Sequence, residues 1–424
     1  MSAPLRVAIT ALGCKVNYAE MAELAGALAA AGCDVVPEDE PADVRVLNSC
    51  TVTTQADATT RQRISRLRRH DPDAHLVLTG CSVDANPGVY RTDAGAAGVR
   101  VDALFANADK HAIAGHVLAL APPQDRPRSP AALRSRAFIK VQDGCNHRCT
   151  YCIVWQARGM SRSVPVDAVL RQAAAALEDG HRELVLCGVD LGSYGRDTGT
   201  NLTALLEPLL ALAGSDARVR LSSINANDVT RDLIELNAEQ RLCSHWHMPL
   251  QSGSDAVLRA MHRGYRRRQY LRVVDALRAR DPETQFTTDV MVGFPGETEE
   301  DHRETLSLVD QVGFLGCHVF RWSPRPGTPA TALAGRVDTA TARRRSAEVR
   351  RSAAQTAEAA RRAAVGKQHE VVWDGTEDGL ARGLTATYFE VIGPASPLAR
   401  PGRLSRVRAD AIEGARLRVT LLDP

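Results

Sequence analysis

Short apolar runs alternate with amphipathic stretches along most of the chain, and near the N-terminus three such runs end at a cysteine. Arg6 to Cys14, Asp43 to Cys50 and His75 to Cys81 read as strands followed at once by a loop. Between them, Asn17–Ala31 places Met21, Leu24, Ala25 and Leu28 at helical spacing. Gln55–His70 places Ile64 and Leu67 on one face and arginines on the rest. Strands alternating with helices predict a doubly wound parallel α/β sheet, completed by a strand at 101–105 and a helix at 109–120. In such a sheet the loops after the C-terminal strand ends line one edge, the usual ligand edge. Cys14, Cys50 and Cys81 are therefore expected in neighbouring loops.

Residues 121–134 are Pro-rich and polar and read as a linker. Beyond it, strands are expected at 138–142, 183–187, 219–223, 245–249, 286–292 and 316–322. Helices are expected at 166–178, 228–236, 255–261, 269–280 and 299–311. Six β/α units are too few for an eight-stranded barrel, so an open, partial (β/α)6 barrel is predicted. Residues 339–364 form a long Arg-rich helix pattern. From Gly366 onward, short runs at 370–373, 383–391, 404–408 and 416–422, bounded by Gly and Pro, predict a small all-β barrel. The domains are thus 1–120, 135–364 and 365–424.

The chain's 424 residues are 44% apolar and 24% charged, which excludes a disordered or collagenous chain. No apolar run approaches the about 18 residues of a membrane helix, and the N-terminus lacks a signal-peptide pattern. A cytoplasmic protein with no membrane partner is expected, and there ten cysteines are better read as ligands or core residues than as disulfides. The net charge of +3 decides little. Only four of the 53 basic residues are lysines (Lys15, Lys110, Lys140 and Lys367), a choice that a GC-rich genome explains.

The sharpest motif is Cys145-Asn-His-Arg-Cys149-Thr-Tyr-Cys152, after the first strand of the predicted barrel. Three thiolates can hold one face of an iron–sulfur cluster whose fourth iron stays open. A zinc knuckle completed by His147 or a distant cysteine is the competing reading, for which this spacing is poor. Cys14, Cys50 and Cys81 fall just past their apolar runs beside Gly13, Ser49 and Gly80, where a core cysteine would fall inside the run. They read as a second ligand trio. Cys33, Cys187, Cys243 and Cys317 lie in or beside apolar runs and read as core.

The Cys145–Cys152 spacing resembles the radical S-adenosylmethionine (SAM) superfamily. The wider pattern resembles its methylthiotransferases over nearly the whole chain. The stretches that carry the resemblance are 12–17 (Leu-Gly-Cys-Lys-Val-Asn), 48–53 (Asn-Ser-Cys-Thr-Val-Thr), 79–81, 145–158, 250–255, 289–298 and 323–328. The residues after Cys14 and Cys50 resemble the MtaB branch, which acts on threonylcarbamoyladenosine beside the tRNA anticodon. The last domain resembles TRAM, an RNA-binding barrel.

The resemblance implies two [4Fe-4S] clusters. Cys145, Cys149 and Cys152 would hold the radical-generating one, with SAM on its open iron. Cys14, Cys50 and Cys81 would hold an auxiliary cluster carrying the sulfur to be donated. One SAM would methylate that sulfur, and a second would supply the radical that removes hydrogen from C2 of the adenine. That C–H bond is unactivated, so no acid or base side chain serves. Ser223 and Gln251 are candidate SAM contacts at strand ends, with structural capping as the alternative. The chain departs from the family pattern at Trp155, Asn225 and Arg321-Trp322. A tRNA partner, a flavodoxin or ferredoxin type of electron donor and a monomeric state are implied. The competing functions are methylthiotransfer to isopentenyladenosine of tRNA or to a ribosomal-protein aspartate, and a non-catalytic RNA-binding iron–sulfur sensor. Arginine-rich segments at 55–70, 263–280, 341–362 and 400–418 are candidates for tracking tRNA phosphates. Tyr388 and Phe389 are candidates for base contact, with core packing favoured.

Overall fold

The computed structural model describes residues 4–86, 88–92, 99–120, 135–239 and 241–422, so the predicted linker at 121–134 lies outside the described residues. The chain divides into two units. Of the described residues, one comprises those up to 120 with 143–147 and 152–160; the other comprises 135–142, 148–151 and 161 onward.

The first unit is built on a parallel five-stranded sheet. Its order is Asp34–Val36, Arg6–Ala11, Val44–Ser49, His75–Gly80 and Ala103–Phe105. Alternation along the strands supplies two apolar faces. Val7, Val46 and Val77 pack under Leu24 and Leu28 of helix Lys15–Ala30 and under Ile113 and Val117. Leu47, Leu76 and Leu78 pack on the other side against Ile64 and Leu67 of helix Thr54–His70. The sheet is doubly wound, as the sequence predicts. Its edge strand Asp34–Val36 was not anticipated, because three residues, two half-buried and one buried, are too few for a periodic signal. The expected strand at 101–105 is shorter, Ala103–Phe105. The helix expected from 109 begins as a 3-10 turn, Asn107–Ala112, and becomes α-helical at Ile113–Leu118.

In the second unit, strands Ala137–Asp143, Glu183–Gly188 and Arg218–Leu221 pair in parallel in that order. Strands His245–His247, Gln285–Val292 and Gly316–Arg321 do the same. Parallel bridges Val219–Leu242 and Ser223–His247 join the two sets, so six strands follow one another in chain order. Among the described residues the first and last strands do not pair, which leaves the barrel partial. Helix Leu202–Ala213, absent from the sequence reading, packs Leu202, Leu205, Leu206 and Leu209 into the core despite Pro208 in its interior. Helix Thr339–Ala364 has the predicted limits. Its Asp338 accepts from the backbone N–H groups of Ala340 and Thr341.

Residues 368–421 form a closed five-stranded barrel around the fully buried Trp373. The single strand expected at 383–391 is two, Leu380–Thr385 and Glu390–Pro394. The chain turns between them with Tyr388 at φ +76°, and the Phe389 N–H donates to Thr385 Oγ1 at 2.8 Å. That turn docks on the N-terminal ends of the (β/α)6 strands. Tyr388 stacks on His245 with ring centroids 3.9 Å apart. Arg220 donates to the carbonyls of Thr385 and Ala386, and Arg218 to those of Glu370 and Leu384. Both guanidiniums pair with Glu183, and all three side chains are essentially inaccessible. Tyr388 is thus occupied by a protein ring, and Phe389 is buried in the barrel core. No helix among the described residues is long and apolar enough to cross a membrane.

Candidate functional site

Three adjacent strands of the first unit set the site. Register places Ala11 beside Asn48, Asn48 beside Thr79 and Ser49 beside Gly80, so the following loops begin at one level. Asn17 binds the first two loops together, donating from Nδ2 to the carbonyls of Leu12 at 2.7 Å and Ser49 at 3.0 Å. Ser49 Oγ donates to the Thr79 carbonyl at 2.6 Å and fixes the second loop to the third. Asp57 lies behind them, accepting from Thr51 Oγ1 at 2.7 Å and Ser82 Oγ at 2.8 Å.

These ties gather Cys14, Cys50 and Cys81. All three are free thiols. Cys14 keeps exposed surface, and the other two are buried. Burial raises the Cys50 pKa to about 11, and the neighbouring Cys14 and Cys81 push it the same way. Although Cys14 keeps exposed surface as a residue, desolvation around its thiol raises its pKa too, against the opposing pull of Arg158; Cys81 and Glu20 add to the rise. Three sulfurs that repel one another's charge need a cation or a metal to be thiolates together.

The glycines between them leave room. A Cβ on Gly13 would lie 2.5 Å from Cys50 Sγ, and one on Gly80 2.4 Å from both Asn48 Oδ1 and the Ser49 carbonyl. Gly80 has φ +100° and ψ 179°, a region essentially confined to glycine. Gly80→Ala is expected to destabilise the first unit by about 1–3 kcal/mol from backbone strain alone, read as a lower urea midpoint. Restoration of the wild-type midpoint by the alanine would contradict this reading of the turn.

Sequence reasoning missed the buried side chain that serves these sulfurs. Arg158 donates from Nε to Cys81 Sγ at 3.2 Å. Its other nitrogens reach Asn17, Glu20 and Asp143, and Glu20 also receives Lys110. Asn107 Nδ2 adds a second donor to Cys81 at 3.7 Å. Arg158 closes the short helix Val154–Arg158 after the Cys145–Cys152 motif. Nothing in the local pattern separates it from a solvent-facing arginine.

Of the motif cysteines, Cys145 and Cys152 belong to the first unit and Cys149 to the second. Cys145 N donates to the Gly159 carbonyl at 3.0 Å. Gly144, at φ +71°, passes so close to Met160 that a Cβ would meet its carbonyl oxygen at 2.0 Å. The Val154 N–H donates to Cys152 Sγ at 3.4 Å. In the second unit, Arg263 donates from Nη1 to Cys149 Sγ at 3.5 Å and from Nη2 to Asn225 Oδ1 at 2.5 Å. Asn225 Nδ2 in turn donates to Asp190 at 3.1 Å. At position 225 a neutral amide thus bridges a carboxylate and a guanidinium.

Ser223 follows its strand and bridges to His247. Gln251, at φ +63°, donates its N–H to the Asp289 carbonyl and accepts from Met291 N, both at 2.8 Å. Trp322 packs edge-on to Phe294, Arg321 is exposed, and Trp155 is half-buried. Cys33, Cys187 and Cys243 are buried, as expected of core residues. Cys317 is half-buried beside the barrel core, and burial pushes its thiol up to about 12.

The arginine-rich segments divide. Arg345 is paired with the buried Glu297, and Arg63, Arg68, Arg344 and Arg416 form more exposed ion pairs with carboxylates of the same chain. By contrast Arg400, Arg403 and Arg406 line, with Arg182, an open groove of about 650 Å³ between the small barrel and the (β/α)6 strands.

Residues 139–309 match the family described as the Radical SAM superfamily, and residues 6–99 match the one described as Uncharacterized protein family UPF0004. Among curated relatives, the threonylcarbamoyladenosine tRNA methylthiotransferase MtaB of Thermotoga maritima is 37% identical over 398 residues. That alignment covers 91% of this chain and 89% of the relative. The tRNA-2-methylthio-N(6)-dimethylallyladenosine synthase of Frankia alni is 35% identical, covering 96% and 84%. Among solved structures, the radical SAM methyltransferase TsrM of Kitasatospora setae shares the fold. Its TM-score is 0.55 at 14% identity, over 78% of this chain and 77% of that one.

Proposed function

The chain belongs to the MtaB-type radical SAM methylthiotransferase family, and from that premise we propose that it inserts a methylthio group at C2 of threonylcarbamoyladenosine beside the tRNA anticodon. The observation that carries the reading is the meeting of Cys14, Cys50 and Cys81 on one sheet edge, with glycines and N–H donors around the sulfurs. The donor set fits an iron–sulfur cluster: three soft sulfurs at one edge, small neighbours that admit a bulky group, and a buried cation to offset thiolate charge.

We assign Cys145, Cys149 and Cys152 to the radical-generating cluster and Cys14, Cys50 and Cys81 to the auxiliary one, two [4Fe-4S] clusters in all. When bound, the first cluster with SAM supplies one-electron chemistry able to break an unactivated C–H bond, and the second carries the sulfur. The chain's own residues hold and aim these groups. Asn17 and Ser49 fix the three ligand loops, Arg158 and Asn107 donate to Cys81, and Arg263 donates to Cys149. Ser223 and Gln251 are assigned to SAM on their places at strand ends. Residues 1–120 serve the auxiliary cluster, 135–364 the radical chemistry and 365–424 RNA binding. Arg400, Arg403 and Arg406 offer positive charge to tRNA phosphates. Such contacts predict that the logarithm of tRNA affinity falls linearly with the logarithm of salt concentration. A flavodoxin or ferredoxin type of donor, a monomeric state and a cytoplasmic location complete the proposal.

The relatives named for dimethylallyladenosine support a second reading, isopentenyladenosine as the substrate. Nucleoside mass spectrometry of tRNA from a deletion strain separates the two. Loss of 2-methylthio-threonylcarbamoyladenosine, restored by the wild-type gene, is expected. Loss of the isopentenyl product alone would transfer the assignment to the second reading.

A further inference from the structure

Arg158 carries more than a structural role. Its side chain is about 1% exposed, and its guanidinium reaches Asn17, Glu20, Asp143 and Cys81. Nη1 donates to Glu20 and Asp143, both at 2.9 Å, and Nη2 to Asn17 at 2.6 Å. The remaining N–H, on Nε, is thereby aimed at Cys81 Sγ at 3.2 Å. A neutral thiol is a weak acceptor and gives a buried guanidinium little. A sulfur bearing negative charge, as a thiolate or a metal ligand, makes the same contact a charge-assisted bond.

The three sulfurs are not served alike. Backbone amides, those of Asn17 and of Val52 with Thr51, act on Cys14 and Cys50. Cys81 receives the Arg158 Nε–H and the Asn107 amide. Hydrogen bonds and positive charge at a ligand sulfur favour the reduced, more negative state of a cluster and so raise its potential.

We propose that Arg158 is a positioning residue for the auxiliary centre, orienting the Cys81 sulfur and raising that centre's reduction potential. The proposal rests on the reading of Cys14, Cys50 and Cys81 as cluster ligands. The Arg158 charge also acts on Cys14, but its Nε–H is aimed at Cys81, so at that corner one side chain both orients a sulfur and acts on the potential. Arg158 also lies six residues beyond Cys152, so one stretch of chain supplies ligands to one centre and a donor to the other.

The test uses the full chain with Cys145, Cys149 and Cys152 all replaced by Ala, so that only the auxiliary centre is loaded. Iron and sulfide are counted, and the midpoint potential is followed by electron paramagnetic resonance. Adding Arg158→Gln is expected to keep the iron and shift the midpoint to a more negative value. Arg158→Lys, which keeps the charge but not the fork, is expected to fall between. An unchanged midpoint in the loaded Gln variant overturns the proposal. If the Gln variant does not load, the Lys variant decides: a midpoint below the parent supports the proposal, and one equal to it overturns it. A parent that binds no iron refutes the ligand reading itself and removes the basis for the Arg158 role.

Discussion

Replacing Glu183 by Gln is expected to lower the stability of the second unit by about 3–5 kcal/mol, the usual consequence of breaking a buried ion pair from one side. Glu183 is fully buried between Arg220 and Arg218, each bonded to it at 2.7 Å through Nε. Without its charge, two buried guanidiniums lose their shared carboxylate and keep the carbonyls of the small barrel, the Tyr388 ring and the more distant Glu370 carboxylate, 3.6 Å from Arg218. Urea denaturation followed by Trp fluorescence reports the loss, because Trp373 lies in that barrel and Trp246 in the (β/α)6 core. A change within 0.5 kcal/mol, the ordinary range for surface substitutions, would mean that the triad contributes nothing to docking.

The pH dependence has a defined sign. Burial alone would raise the Glu183 pKa, but Arg220 and then Arg218 hold it far below the usual carboxylate range. A carboxyl depressed in the folded state contributes stability that is complete above its unfolded pKa, about 4.3, and declines as pH falls below it. Wild type is therefore expected to lose stability below about pH 4, and Glu183→Gln to lose less over the same interval. Parallel curves for the two proteins would contradict the assignment.

The second large effect concerns the auxiliary trio. Cys50→Ala is expected to abolish methylthio product while the reduced enzyme still cleaves SAM to 5′-deoxyadenosine. Cys149→Ala is expected to abolish both. In the proposed assignment the two ligand sets serve different steps, so their losses are expected to separate in one anaerobic assay that measures both products. Ala at position 50 removes a sulfur without adding bulk to the Gly13 contact, and retained SAM cleavage in the same assay reports that the variant is folded. Retention of methylthio product in Cys50→Ala would remove the auxiliary cluster from the mechanism.

The alternation of strands and helices in both units was legible because the signal is local. Apolar runs of strand length alternate with helical periodicity, and that alternation implies parallel strands joined by helical crossovers. Asp34–Val36 was too short for that signal, and Pro208 masked helix Leu202–Ala213. The run at 383–391 read as one strand because Tyr388 has high β-propensity. The Thr385–Phe389 hydrogen bonds instead hold Tyr388 at positive φ and turn the chain. The split has a consequence, since the resulting turn is the surface that Arg220 and His245 grip.

The linear chain therefore determined which cysteines stand at strand ends and how six β/α units and a small barrel follow one another. Those features depend on periodicity and spacing within a few residues. Only the folded chain decided that Arg158, 77 residues from Cys81, aims its Nε–H at that sulfur. It also decided that Glu183 with Arg218 and Arg220 fastens the small barrel to the strands. A buried charge is recognisable only by what surrounds it, and its partners come from segments whose separation along the chain carries no pattern.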